Sequence, residues 1–232
     1  MNTKSLLVVM LFAALLFNCS KSVEYSETFK KETTGKYLYN QDDIIEIFYD
    51  NNTLRLKWRE AIMIPVALDT NEFFVADMYA KLHFVEHPKT KERYLSIISE
   101  ENESLITYDY LKVLDTYKTP STLLKEGDYE KALQGYLAIK EKDSTSEFIN
   151  EWEFNSKGYR HIRKKEYEKA IGVLKLNAAL HPQSANVYDS LAEAYLLNGD
   201  SLQAFNNYNK ALEMNTGNNR AKKYIDTYTN KK

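Results

Sequence analysis

"RKKEYEKAIGVL" at residues 163–174 and "LNGDSLQAFNNY" at residues 197–208 carry one pattern twice, the second string starting thirty-four positions after the first. Each is a polar turn followed by a short stretch with one apolar stripe, too small to offset its own ordering entropy in water. The offset holds beyond the two strings: Gly158 falls on Ala192, Ala170 on Ala204, Leu174 on Tyr208 and Pro182 on Thr216. A helix-turn-helix unit recurring at such a period cannot bury its apolar face alone but shares a core with its neighbours. A third string, "KEGDYEKALQGY" at 125–136, aligns with these. The step from Ala132 to Ala170 is longer by four than the step from Ala170 to Ala204, so the loop around "KDSTSEF" carries the surplus.

The reading over the carboxyl half is therefore a degenerate copy at 119–144, two good copies at 151–184 and 185–218, and a capping helix at 219–230. The cap places Ala221, Tyr224, Ile225 and Tyr228 at helical spacing, with Lys and Arg expected outside. Small residues at Ala192 and Ala204 let helices approach within about 8–10 Å, while Tyr188, Tyr195, Tyr208 and Tyr224 fill the gaps between them.

This arrangement resembles the tetratricopeptide repeat. In the copy at 185–218, Tyr188, Leu191, Ala192 and Tyr195 match its first helix and Ala204, Tyr208 and Ala211 its second. In the copy at 151–184, Phe154, Gly158, Ala170, Leu174 and Pro182 match, whereas Lys157, His161 and Asn177 depart. The resemblance implies an α-solenoid that binds a protein or peptide partner on its concave face. It assigns that face to Asn155, Tyr159 and Ile162 in one copy and Asp189, Glu193 and Leu196 in the next.

Upstream, from 35 to 115, the period changes to two. In "NTLRLKW" the apolar Leu54, Leu56 and Trp58 alternate with Arg55 and Lys57, and Asn51 and Asn52 before it suit a tight hairpin. "DIIEIFYD", "EFFVAD", "AKLHFVEH" and "RYLSIIS" read as further strands. The expectation is five or six antiparallel strands, a curved sheet or small barrel, and an α+β chain overall. "GKY" at 35–37, the Leu54 and Leu56 hairpin, and Pro65, Leu68 and Phe73 resemble a β module at the carboxyl end of serine hydrolases of the β-lactamase and esterase type. Similar repeats are appended to some of those enzymes.

Chemistry is sparse. No serine has a lysine three residues later, and there is no Gly-x-Ser-x-Gly elbow, so the catalytic part of such a hydrolase is not recognisable and the chain reads as a non-enzyme. His83 and His87 flank "FVE" on a presumed strand, where a spacing of four does not bring side chains together, and no metal or other cofactor is expected. A formal charge of −2 supplies no basic field for nucleic acid.

The amino terminus has one basic residue, Lys4, then twelve apolar residues from Leu6 to Phe17, then Cys19, the single cysteine. That run is shorter than the roughly 20 residues a spanning helix needs, and it fits a secretory segment over 1–18. "LLFNCSKS" resembles a bacterial lipoprotein signal, with Asn18 where that pattern has a small residue. The resemblance implies lipidation of Cys19, a polar tether over 19–34, and an exported body held to a membrane on the periplasmic side or at the cell surface. Three functions are in competition: a non-catalytic scaffold, an accessory part or divergent relative of a serine hydrolase, and a small-ligand carrier using the β module.

Overall fold

The computed structural model describes residues 23–230; the expected signal segment and Cys19 lie outside the described residues. The described chain divides into two compact units, one built on a sheet and one on helices. Among the described residues no helix is long and apolar enough to cross a membrane.

The first unit contains nine strands: β1 (Gly35–Tyr39), β2 (Asp43–Asp50), β3 (Thr53–Trp58), β4 (Ala61–Met63), β5 (Val66–Ala67), β6 (Glu72–Val75), β7 (Ala80–Glu86), β8 (Arg93–Ile97) and β9 (Tyr110–Val113). Their spatial order is β4-β3-β2-β1-β9-β8-β7-β6-β5, with β2–β3, β3–β4, β1–β9, β8–β9, β7–β8, β6–β7 and β5–β6 paired antiparallel. The strands at the two ends of that order are consecutive in the chain, separated only by Ile64 and Pro65. The sheet therefore curls until its edges meet on one continuous stretch, 61–67, which pairs first with β3 and then with β6. Closure in this manner leaves only short edges, which limits unwanted strand pairing.

Inward residues follow the pleat. Tyr37, Ile45, Ile47, Leu54, Leu56, Phe73, Leu82, Phe84 and Leu95 are at most 3% exposed and fill the inside of the curl. The rings of Phe73 and Tyr37 lie 5.4 and 6.1 Å from that of Phe84. Four strands go beyond the sequence expectation. β1 and β9 are short, and β4 and β5 carry apolar residues on both faces around a proline, so neither shows clean alternation.

Of the tether expected over 19–34, the described part, 23–34, contains a helix instead. Helix α1 (Glu27–Thr33) is capped by the Ser26 hydroxyl, which accepts from the Phe29 amide. Tyr25 and Phe29 stack on each other and reach the rings of Tyr49 and Phe84. Tyr25 precedes the cap and Phe29 lies in the first turn, and both rings belong to the sheet's apolar cluster.

The second unit holds α2 (Pro120–Glu126), α3 (Tyr129–Lys142), α4 (Glu151–Arg163), α5 (Tyr167–Leu180), α6 (Ala185–Leu197), α7 (Ser201–Met214) and α8 (Asn219–Thr229). Shifted by one repeat, the boundaries of α4 and α5 become those of α6 and α7, at both ends of both helices. α8 starts one repeat after α6, and α3 matches α5 at both ends once the step is lengthened by four. That surplus sits in the connector ahead of α4, which holds a single 3-10 turn at Glu147–Ile149.

Packing follows the small residues. Ala170, Ala192, Ala204, Ala211 and Ala221 are fully buried in one cluster with Leu174, Val187 and Tyr208. Gly158 shows why the first copy needs no side chain there: a Cβ would stand 2.6 Å from Leu174. A second cluster joins Leu124, Ala132, Tyr136 and Ile139 to Phe154, Leu176 and Leu180.

Candidate functional site

The first helices of successive hairpins, α4, α6 and α8, present equivalent positions three and four residues apart. Such positions fall on one stripe of a helix. On α4 the stripe holds Asn155, Tyr159 and Ile162, and on α6 it holds Asp189, Glu193 and Leu196.

Three of these six are brought together. The Tyr159 hydroxyl donates to Glu193 Oε2 at 2.7 Å. Arg220 on α8 donates from Nε to Asp189 Oδ1 at 3.3 Å, from Nη2 to Asp189 Oδ2, and from Nη1 to Glu193 Oε2. Its Nη2 also stands 3.5 Å from the Tyr159 hydroxyl. Asn218, which caps α8 with its side-chain oxygen, donates its amide to Asp189 Oδ1 at 2.9 Å. Asp189 is 9% exposed, so its charge is held by a guanidinium and an amide rather than by bulk water.

The other three behave differently. Ile162 packs against the apolar cluster of α5 to α8. Leu196 is 37% exposed at the far end of its stripe. Asn155 is half-buried, and its side-chain oxygen is shielded from solvent with no hydrogen-bond partner.

Sequence reasoning missed two members of the stripe. Trp152 and Arg220 hold the same position in their helices, two repeats apart with Asn186 midway. Trp152 is 72% exposed, the only tryptophan so placed among the described residues. The cap reading puts Arg220 on the outside of the hairpin, yet it reaches across to two acids of the preceding copy. The available signal was position: Trp152 lies three residues before Asn155, and Asn186 three before Asp189.

The departures of the first copy have local partners. The buried Asn177 amide donates to the Glu151 carbonyl at 3.0 Å. His161 Nδ1 meets Glu166 Oε2 at 2.6 Å, a contact that holds the Glu166 carboxyl below its ordinary range. His181 Nε2 donates to the Ile149 carbonyl at 2.8 Å, and burial pushes its imidazole below the ordinary value. In the sheet unit, His83 pairs across strands with Glu72 and Ser96, while His87 Nδ1 accepts from the Thr90 amide at 3.1 Å. Among the described residues no three His, Cys, Asp or Glu side chains come close enough to hold a metal ion.

The helical unit is built of antiparallel helix pairs whose boundaries recur at a step of thirty-four residues. No protein-family model matches the chain, and no curated protein does. Among solved structures it is similar to the first TPR of Spaghetti (RPAP3) bound to an HSP90 peptide, at 19% identity over 48% of this chain and 85% of that one, TM-score 0.34. It is also similar to the Yersinia enterocolitica type III secretion chaperone SycD with a peptide of the translocator YopD, at 18% identity over 48% and 88%, TM-score 0.34. MamA matches at 24% identity over 46% and 60%, TM-score 0.32.

Proposed function

We propose that the protein is a non-catalytic scaffold, held to a membrane through its amino terminus, which binds a protein or peptide segment along the stripe of α4 and α6. The observation that carries this reading is the contrast at the α4 end. Trp152 exposes most of its ring beside Asn155, whose acceptor oxygen is buried and unpaired, while Asp189 and Glu193 one copy later are already engaged. The exposed indole suits an apolar side chain of an extended segment. The neighbouring cluster has two carboxylates to one guanidinium, which favours a positively charged residue on that segment.

The test is affinity capture from solubilised membranes with the native protein and with Trp152→Ala. Loss of specific partners in the variant is expected, with its folding unchanged by circular dichroism. Identical partner sets would remove this stripe from the reading.

A further inference from the structure

The stretch that closes the curled sheet breaks the pattern of its neighbours. Along 61–68, Met63 and Pro65 point inward and are buried, as the pleat demands. The outward residues are nevertheless Ile62, Ile64, Val66 and Leu68, exposed by 62, 62, 58 and 48%. On β3 the outward residues are Arg55 and Lys57, which is the ordinary arrangement of a sheet with one wet face. The apolar strip continues sideways: Val66 pairs with Phe74, whose ring lies 6.0 Å from that of Tyr79, 81% exposed. A contiguous outward patch of this kind marks something that covers it.

We infer that a lipid bilayer covers it. This rests on the membrane attachment proposed above, and the geometry of the amino terminus supplies the reason. The Asn52 side chain fastens the start of the described chain to the β2–β3 turn. Its oxygen accepts from the Tyr25 amide at 3.2 Å and its amide donates to the Val23 carbonyl at 3.1 Å. Cys19 precedes Val23 by four residues, which span at most about 14 Å when extended. An acyl group on Cys19 therefore holds the bilayer close to that turn.

β3 runs away from the turn and residues 61–67 run back toward it. Strands pack roughly 4.8 Å apart, so Val66 and Leu68 come to the anchored end of the sheet. The charges around the strip are mixed, Lys57 and Arg59 against Glu60 and Asp69, so the contact is driven by apolar burial and is insensitive to salt. Tyr79 suits the headgroup level.

The experiment uses the full-length protein purified from membranes and reconstituted into phosphatidylethanolamine and phosphatidylglycerol vesicles. An environment-sensitive fluorophore is placed at Ile64→Cys, at Val66→Cys and at Glu101→Cys in the β8–β9 loop. Vesicle flotation and the mass of the mature amino terminus report the attachment separately. The expected result is flotation, with blue-shifted emission and several-fold quenching by brominated lipid at positions 64 and 66. Both signals should persist in high salt and be absent at 101. Flotation with 64 and 66 unquenched overturns the bilayer as occupant while leaving attachment intact. Shielding of 64 that persists in detergent and rises with protein concentration assigns the strip to a second copy instead. Failure to float overturns both.

Discussion

The two good helical copies share a backbone and differ in how much of their chemistry is spent. Residues 185–218 keep Ala192, Ala211 and Tyr208 in the core, and their Asp189 and Glu193 are engaged by Tyr159, Asn218 and Arg220. Residues 151–184 put Gly158, Asn177 and Leu174 at the same three core positions. Their stripe leaves Trp152 open and Asn155 unpaired. A repeat fixes where side chains stand, and the difference between copies determines which of them are already paired.

That comparison can be broken at its packing first. Phe154 is 1% exposed, with its ring edge-on to Tyr136 at 5.0 Å, and joins the first copy to the α2 and α3 pair. Phe154→Ala is expected to cost about 3–5 kcal/mol, read as a lower urea midpoint at unchanged slope. A loss well below that range would mean the first copy is less tightly packed than the second.

Arg220→Ala comes next. It strips a partner from the buried Asp189, but the arginine side chain is 45% exposed, so the cost is discounted to about 1–3 kcal/mol. A double-mutant cycle with Asp189→Asn should show coupling between the two sites. Additive effects would dissolve the distinction drawn between engaged and open stripes.

His181 belongs to the first copy and is replaced by Asn215 in the second. Burial holds its imidazole below the ordinary value of 6.5, so the unfolded chain takes up the proton first. Stability contributed by the neutral ring is present above about pH 6.5 and falls as the pH drops toward the folded value. His181→Gln should flatten that part of the stability curve, measured by urea midpoints over the weakly acidic range.

Asn155→Ala removes an acceptor that has no partner, and should change stability by less than about 1 kcal/mol. Trp152→Ala is expected to be the smallest change of all in stability, within about 0.5 kcal/mol, because its ring lies mostly in water. Calorimetry on both variants checks the pair; a large loss in either would show that the open stripe contributes to packing.

The helical half was legible because its signal is local. A constant offset between small residues survives wide variation elsewhere, and the helix boundaries recur at that offset. The sheet was less legible because its pairings are distant. β1 meets β9 through residues such as Lys36 and Val113, and no short-range pattern announces such a partner. β4 and β5 hid for a different reason, since apolar residues on both faces erase the alternation by which a strand is recognised. Of the site, the stripe positions could be placed from the sequence, but their occupancy could not. Arg220 reads as one more surface cation until the turn before α8 sets it beside Asp189.

The equal phase of α6 and α8 also makes the array extensible. A duplicate of residues 185–218 spliced in after Asn218 would meet on each side the seam that α7 and α8 already share. The junction with α8 would keep Arg220 against Asp189 of the inserted copy, whereas the junction ahead of it would repeat that clasp only if Asn186 of the inserted copy were changed to arginine, so that single position controls whether an added module locks onto the one before it.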